Sequence, residues 1–268
     1  MSTAKIYVAC HQKERIPDLD PIYIPLQVGK VHSKIESGFI ADDSGINISE
    51  KNPFYSELTG WYWIWKNQQH KIVGTSHYRR YFTTKKSVFH KLLSIPHYLI
   101  GIRKKRIGLY YTGNIKKWHK YILSSKEIKE ILKDYDIILP ISKVFKYSVA
   151  EQYTRRHRAE DIVLTRTILS ELQPEYVDSF DAVFNANKLY SFNMFVTRWE
   201  LFEEYMNWLF ALLFELEKRS DFPRDDAYQK RLPAFMAERL QTVWLHKKQL
   251  KTKELPVIYF KKNKKAHF

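Results

Sequence analysis

The sequence is poor in cysteine and glycine, and each scarcity excludes a class of protein. Cys10 is the only cysteine, so no internal disulfide bond can form, and no apolar signal-peptide core follows Met1. We therefore expect a protein of the reducing cytoplasm. The eight glycines are scattered, which excludes a Gly-rich phosphate loop of the kinase or P-loop kind. Cys10 also lacks the Cys and His partners of a zinc site.

Long apolar runs are missing as well. The apolar stretch 92–102 is broken by Pro96 and His97, and no run reaches the roughly 18 residues that a membrane helix needs. We expect that the chain does not cross a bilayer. Its 268 residues are enough to bury a large core without disulfides, and we predict one domain over residues 1–268.

Acidic residues are absent from one strongly basic segment. The formal net charge is +16, and no Asp or Glu lies between Lys85 and Lys126. The eleven basic residues of that segment are at positions 85, 86, 91, 103, 104, 105, 106, 116, 117, 120 and 126. Basic and aromatic residues mixed in this way are typical of a segment that lies on an anionic membrane. We predict a basic insertion at 87–118 that binds such a surface together with the lysines at 261–265; a solvated insertion is the alternative.

Strand and helix patterns alternate along the chain, which predicts an α/β sheet flanked by helices. Strands are predicted at 5–10, 22–28, 71–76, 135–140, 190–197 and 256–260. Helices are predicted from Asn52 through Trp65 and at 126–133, 151–172, 198–218 and 233–247.

The motif GTSHYRRYF follows directly on the predicted strand at 71–76. Strand ends in α/β proteins are where ligands bind, and an arginine can bind two phosphate oxygens at once. Arg79 and Arg80 are therefore candidates for an anion site, although neighbours on an extended chain point in opposite directions. The alternative is that one of them pairs with a structural acid such as Glu57.

Several sequence blocks together resemble the domain-of-unknown-function family 4422. They are KIYVACH at 5–11, PLQVG at 25–29, NIS at 47–49 with Asn52, YSELTGWYW at 55–63, HYRRYF at 77–82, DIILP at 136–140, NMF at 193–195 and ERL at 238–240. Only about residues 87–118 fall outside the resemblance.

Members of that family are regarded as glycosyltransferases of bacterial capsule, exopolysaccharide and lipopolysaccharide synthesis. The resemblance implies a GT-A-like, Rossmann-type mixed sheet and a nucleotide-sugar donor. We favour UDP-galactose in pyranose or furanose form, and UDP-glucose and N-acetylated sugars are the alternatives. The basic insertion would suit an acceptor linked to polyprenyl diphosphate, and we expect a cytoplasmic enzyme that can attach to the inner face of the plasma membrane.

The resemblance also suggests which residues bind the donor. They are His11, His77, Tyr78, Arg79, Arg80 and Asn193. GT-A-like enzymes usually carry Asp-x-Asp where this chain has residues 76–80, which contain no carboxylate. The strings at 18–20 and 134–136 lie in an early loop and before a strand. We therefore expect arginine side chains to take the place of a metal ion and predict no cofactor. A structural role is the alternative for His11 and for Asn193.

Sugar transfer also needs a group that removes the proton of the acceptor hydroxyl. His157 and Asp161 are four residues apart, so on one helix they would share a face. Glu238 is a charge within an apolar helix, and a buried ion pair with Arg239 is its structural alternative. These three residues are the candidate catalytic groups.

Two other functions are compatible with the composition. A nucleic-acid-binding protein would use the same cations and aromatic rings, but no RRM, zinc-finger or helix-turn-helix pattern is present, and we expect no nucleic-acid partner. A non-catalytic carbohydrate-binding subunit would keep the aromatics without needing HYRR or a buried acid.

Overall fold

The computed structural model describes residues 4–11, 16–17, 19–85, 108–220 and 228–261. The described strands are β1 Lys5–Cys10, β2 Tyr23–Gln27, β3 Ile40–Ala41, β4 Ile72–His77, β5 Arg80–Phe82, β6 Leu109–Thr112, β7 Ile137–Pro140, β8 Lys143–Val144, β9 Lys188–Leu189, β10 Phe195–Arg198, β11 Thr252–Leu255 and β12 Val257–Phe260. The α-helices are α1 Asn52–Tyr55, α2 Leu58–Asn67, α3 Ile115–Trp118, α4 Ser125–Asp134, α5 Val149–Thr154, α6 Ala159–Leu172, α7 Val177–Asn185, α8 Trp199–Arg219 and α9 Leu232–Lys248.

Ten of these strands form one mixed sheet, in the order β11-β7-β10-β4-β1-β2-β3, extended beyond β4 by β5, β12 and β6. Strands β3, β2, β1, β4, β7 and β11 all run in one direction, whereas β10 runs against its neighbours β4 and β7. The carboxyl ends of β1, β4 and β7 therefore meet the start of β10 at one edge of the sheet. The predicted α/β class, with a mixed sheet flanked by helices, is confirmed.

Buried side chains cover both faces of the sheet. In β1 the residues Tyr7 and Ala9 belong to one apolar cluster and Ile6, Val8 and Cys10 to another. Successive side chains of a strand point to opposite faces, so a strand between two apolar layers is apolar on both faces, as residues 6–10 (IYVAC) are. The first cluster contains most of the buried residues of α2, α8 and α9.

Two predicted helices are each broken in the structure. The helix expected from Asn52 onward divides into α1 and α2 at Ser56, whose φ is 51°. The helix expected over 151–172 divides into α5 and α6, with residues 155–158 between them. At the second break, the ring of His157 packs against the rings of Tyr228 and Phe235. The spacing of apolar residues along a helix cannot predict such a tertiary contact.

The predicted strand at 190–197 is also shorter than expected. It begins as β10 only at Phe195, because Phe192 and Asn193 both have positive φ, which ends the extended conformation. Of the predicted basic insertion, the structure describes residues 108–118, where β6 pairs with β12 as part of the main sheet. Its remainder, 87–107, and the lysines beyond Lys261 lie outside the described residues. Among the described helices, none is long and apolar enough to span a membrane.

Candidate active site

The HYRR motif forms the turn between β4 and β5, at the carboxyl edge described above. His77 pairs with Arg80 across this turn, and the hydroxyl of Ser76 donates to the carbonyl oxygen of Arg80 at 2.5 Å. The Cζ atoms of Arg79 and Arg80 lie 5.5 and 5.6 Å from the ring centroid of Tyr259. The strand-alternation argument does not apply to Arg79, because Arg79 lies in the turn before β5, so whether one arginine or both face the cleft stays a prediction.

Neither guanidinium group has an acceptor among the described residues. The Nε atoms of Arg79 and Arg80 are buried and make no hydrogen bond there. Each of the other buried or half-buried arginines of the described chain does have one: Arg198 donates to Leu132 O, Arg231 to Ser56 Oγ and Arg239 to Gln152 Oε1. Among the described residues, neither Arg79 nor Arg80 therefore pairs with a structural acid such as Glu57.

His77 is neutral in this setting. Burial lowers its pKa to about 2, and the positive charges of Arg80 and Arg79 and the neighbouring His11 act in the same direction. Its Nδ1 accepts the backbone N–H of Arg79 at 3.3 Å, which leaves the proton of the neutral ring on Nε2 as a donor. The ring of Tyr78 lies 4.3 Å from that of His77, and His11 is exposed where β1 ends.

A strained corner at Phe192 and Asn193 forms the opposite wall. Their φ angles are 83° and 50°, in a region that costs a bulky residue about 1 to 3 kcal/mol. Two carboxylates hold this corner: Glu238 accepts the N–H of Phe192 at 2.9 Å, and Glu57 accepts Asn193 Nδ2 at 2.9 Å. The register of β10 against β4 brings Asn193 beside the end of β4, and its carbonyl oxygen accepts from Thr75 Oγ1 at 3.2 Å.

Asn193 is itself incompletely paired. Asn193 is only 3% exposed, and its side-chain oxygen Oδ1 makes no hydrogen bond within the described chain. Because Nδ2 must face the carboxylate of Glu57, the free atom is the acceptor. A buried acceptor without a partner is uncommon and is expected where a ligand supplies the donor.

Glu238 lies on α9 and has one partner besides the N–H of Phe192 at the corner. Its Oε2 is 3.3 Å from Nη1 of Arg239, so the ion pair named as its structural alternative does exist. Arg239 is 4% exposed and also donates to Phe235 O and to Gln152 Oε1. The Glu238 side chain keeps 27% exposure, so it is both anchored and accessible.

His157 and Asp161 do not share a helix face as predicted. His157 lies in the break before α6, with Nδ1 3.3 Å from Gln229 Oε1, and burial lowers its pKa. Asp161 is in the first turn of α6, where it accepts Tyr153 Oη at 2.8 Å, and burial raises its pKa. Both adjoin the ring of Tyr153, and no contact between described residues connects them directly to Arg79 or Arg80.

Lys143 is at the same edge and was missed from the sequence. It follows β7 by three residues, and its Nζ lies 4.3 Å from the ring centroid of Phe192, which also has Arg80 Cζ at 4.8 Å. Burial lowers the pKa of Lys143, and Arg80 and Arg239 lower it further while Glu238 raises it. The signal that could have found it is topological: it follows a predicted strand parallel to the one that ends at His77.

The described side chains at this edge include no cluster of metal-ligating groups. Within the described ranges, no three or more His, Cys, Asp or Glu side chains are grouped so as to hold a metal ion. The groups nearest Arg80 are cationic or aromatic, whereas divalent magnesium and calcium take oxygen ligands. Metal-independent chemistry nevertheless stays a prediction.

Comparisons with known proteins bear on what this edge does. No curated protein matches the chain. Among solved structures, the apo structure of WbbM, described as a bifunctional glycosyltransferase, is similar at 31% identity with a TM-score of 0.85. The similarity covers 97% of this chain and 46% of that one, so the chain spans about half of its length. A family model also matches residues 5–249, and the chain belongs to the family described as Domain of unknown function (DUF4422).

Proposed function

We propose that this chain is a glycosyltransferase that binds the diphosphate of a nucleotide sugar through Arg79 and Arg80. The observation that carries the proposal is the pair of half-buried guanidinium groups at the carboxyl edge of a mixed sheet, for which the described residues supply no acceptor. Buried charges are costly unless they are paired, so this arrangement favours an anionic ligand. The similarity to a structure named as a glycosyltransferase supports the reaction class.

Each site residue has a role in this proposal. When the acceptor hydroxyl oxygen bonds to the anomeric carbon, the bond from that carbon to the donor diphosphate breaks. Arg79 and Arg80 stabilise the negative charge of the departing diphosphate, and neutral His77 donates from Nε2. Asn193 Oδ1 accepts from a sugar hydroxyl, while His11 and Tyr78 line the nucleoside end.

Glu238 is the group we favour for removing the acceptor proton. Glu238 accepts a hydrogen bond from the N–H of Phe192. Of the three candidates, it is the one whose negative charge raises the pKa of Lys143, which lies near Arg80. His157 and Asp161 lie against Tyr153, away from the turn that carries Arg79 and Arg80, and Asp161 already accepts a hydrogen bond from the Tyr153 hydroxyl. We assign to both residues a structural role, which is to hold α6 and Arg239 in place.

The donor is proposed to be UDP-galactose, in pyranose or furanose form. The proposed acceptor is a polyprenyl-diphosphate-linked glycan of capsule, exopolysaccharide or O-antigen synthesis, which requires attachment to an anionic membrane. Such attachment is supported by exposed Lys116, Lys117 and Lys120 beside Trp118 and Tyr121. Lys85 Nζ lies 3.4 Å from the Tyr121 ring centroid, so cations and rings are interleaved.

Turnover of a panel of nucleotide sugars, with and without EDTA, tests the reaction. We expect activity with UDP-galactose that survives EDTA and falls at least about 100-fold when Arg79 and Arg80 are both alanine. Arg166→Ala, which removes an exposed arginine paired with Asp181, is the control and should be active. Unchanged turnover in the double variant would refute the arginine role, and loss of activity in EDTA would refute metal independence.

The same experiment separates the rival functions. Tight, steeply salt-dependent RNA binding without any effect of nucleotide sugars would indicate a nucleic-acid-binding protein. Glycan binding without turnover of any donor would indicate a carbohydrate-binding subunit.

Membrane attachment has its own test. Each basic residue near an anionic surface contributes about 1 kcal/mol, so Lys116→Glu with Lys117→Glu should reduce binding to phosphatidylglycerol vesicles more than tenfold. Lys129→Glu with Lys133→Glu on α4 makes the same charge change elsewhere and should have little effect. Equal losses in the two variants would show nonspecific attraction.

A further inference from the structure

Lys143 shares the Phe192 ring with Arg80. The Nζ of Lys143 and the Cζ of Arg80 are 4.3 and 4.8 Å from the same ring centroid. These two positive groups are therefore close enough to repel each other, and a cation–ring contact offsets only about 0.5 to 1 kcal/mol at a partly solvated site.

The ammonium group of Lys143 has no acceptor in the described part of the chain. Its Nζ lies over the ring of Phe192, and no carboxylate of the described residues is within ion-pair distance of it. Glu238 attracts it from further away, but both oxygens of Glu238 already have partners, in Phe192 N and Arg239 Nη1. Lys143 is thus half-buried like the two arginines and, as they are, without an ion-pair partner among the residues that the structure describes.

The fold holds Lys143 in this position. It forms β8 with Val144, and β8 pairs with β9 through Lys143 and Leu189. Strand β9 leads within three residues to the Phe192 corner, so one short hairpin-like unit sets both Lys143 and the ring beside it. Such a fixed placement suits a ligand contact better than it suits a solvated lysine.

We propose that Lys143 is a third anion-binding residue of this site, which contacts a phosphate of a nucleoside diphosphate opposite Arg79 and Arg80. The inference rests on the function proposed above and adds a residue to it. An oxygen-rich diphosphate accepts hydrogen bonds from several cations at once, so its binding removes the repulsion between Lys143 and Arg80.

Titration calorimetry with inorganic pyrophosphate, UDP and uridine tests the role of Lys143. We expect Lys143→Met to weaken the binding of pyrophosphate and of UDP about tenfold. Binding of uridine, which has no phosphate, should not change. Lys143→Arg, which keeps the positive charge, should retain most of the affinity; should Lys143→Met not fold, Lys143→Gln removes the same charge.

Lys253→Met is the matched control, because Lys253 is also half-buried and lies 4.8 Å from a ring centroid, that of Tyr135 at the opposite end of β7. Wild-type affinity in Lys143→Met, or equal losses in the two variants, would overturn the proposal, as would a wild-type protein that binds neither anion. Pyrophosphate binding that depends on Lys143 without any preference for UDP would support Lys143 while contradicting the nucleotide donor.

Discussion

The carboxylate of Asp42 and the pair of arginines at positions 79 and 80 lie at the same edge of the sheet but have opposite environments. Asp42, 0% exposed, receives four hydrogen bonds, from Gly29 N, Lys30 N, Ser49 Oγ and Thr59 Oγ1, at 2.6 to 3.1 Å. The guanidinium groups of Arg79 and Arg80 donate no hydrogen bond to the described residues. A buried charge whose partners all belong to the chain stabilises the fold. A buried charge without partners in the chain lowers stability, and it is expected where a ligand supplies the missing partner.

Removing the fully hydrogen-bonded carboxylate of Asp42 should have the largest effect on stability. Asp42→Ala leaves two backbone N–H groups and two hydroxyls without their acceptor, so the free energy of unfolding should fall by about 4 kcal/mol. Denaturant unfolding measures the loss. Asp43→Ala, an exposed neighbour, should change stability by less than about 0.5 kcal/mol. Equal effects at 42 and 43 would contradict the structural role of Asp42.

The catalytic assignment predicts a large effect on turnover instead. Glu238→Gln keeps an oxygen that can accept from Phe192 N but cannot take a proton, so kcat should fall about 100-fold or more with a similar melting temperature. Asp161→Asn should change kcat less than about threefold. If Asp161→Asn or His157→Asn is the inactive variant and Glu238→Gln is active, the base lies in the α6 region.

The cationic edge predicts a pH dependence through His77. Its pKa in the folded protein, about 2, is below the ordinary value of 6.5, so the folded state resists protonation. Stability should therefore decrease as the pH falls from 7 to 5, with a contribution from His77 of at most about 2 kcal/mol. Denaturant unfolding at both pH values should show a smaller decrease in His77→Gln. Saturating UDP should also reduce the decrease, because a bound anion favours the protonated ring.

The unsaturated charges predict the smallest effect on stability. Replacing Arg79 and Arg80 by alanine removes two groups that donate no hydrogen bond to the described residues, so the unfolding free energy without ligand should change by less than about 1 kcal/mol. The increase in melting temperature that UDP causes in the wild type should be lost. A loss of several kcal/mol without ligand would show that these arginines support the fold as Asp42 does.

Local patterns predicted the framework of the site. The apolar run KIYVAC and the strand before His77 both lie where their sequences indicate, and they end at the same edge of the sheet. HYRRYF marked the turn that carries Arg79 and Arg80. The helix over 151–172 and the shared face of His157 and Asp161 were wrong, because the contacts of His157 come from Tyr228 and Phe235, more than 70 positions away.

Residues that depend on distant partners could not be recognised in this way. Asp42 read as part of a turn, yet two of its four donors are the hydroxyls of Ser49 and Thr59 from separate helical turns. Lys143 was one lysine among many, and it differs only because the sheet order brings it to Phe192. Neither residue has a local sequence feature that distinguishes it.

The sequence by itself determined the α/β class, the family and the strand end that carries the arginines, because strand periodicity and the motif are properties of neighbouring residues. Only the tertiary structure decided which charges are paired: it gives Asp42 four donors, ties Glu238 and Glu57 to the Phe192 corner and leaves Arg79, Arg80 and Lys143 without acceptors in the described parts of the chain. Hydrogen bonds and ion pairs act over a few ångströms in space, and the sheet order alone determines which distant residues come that close.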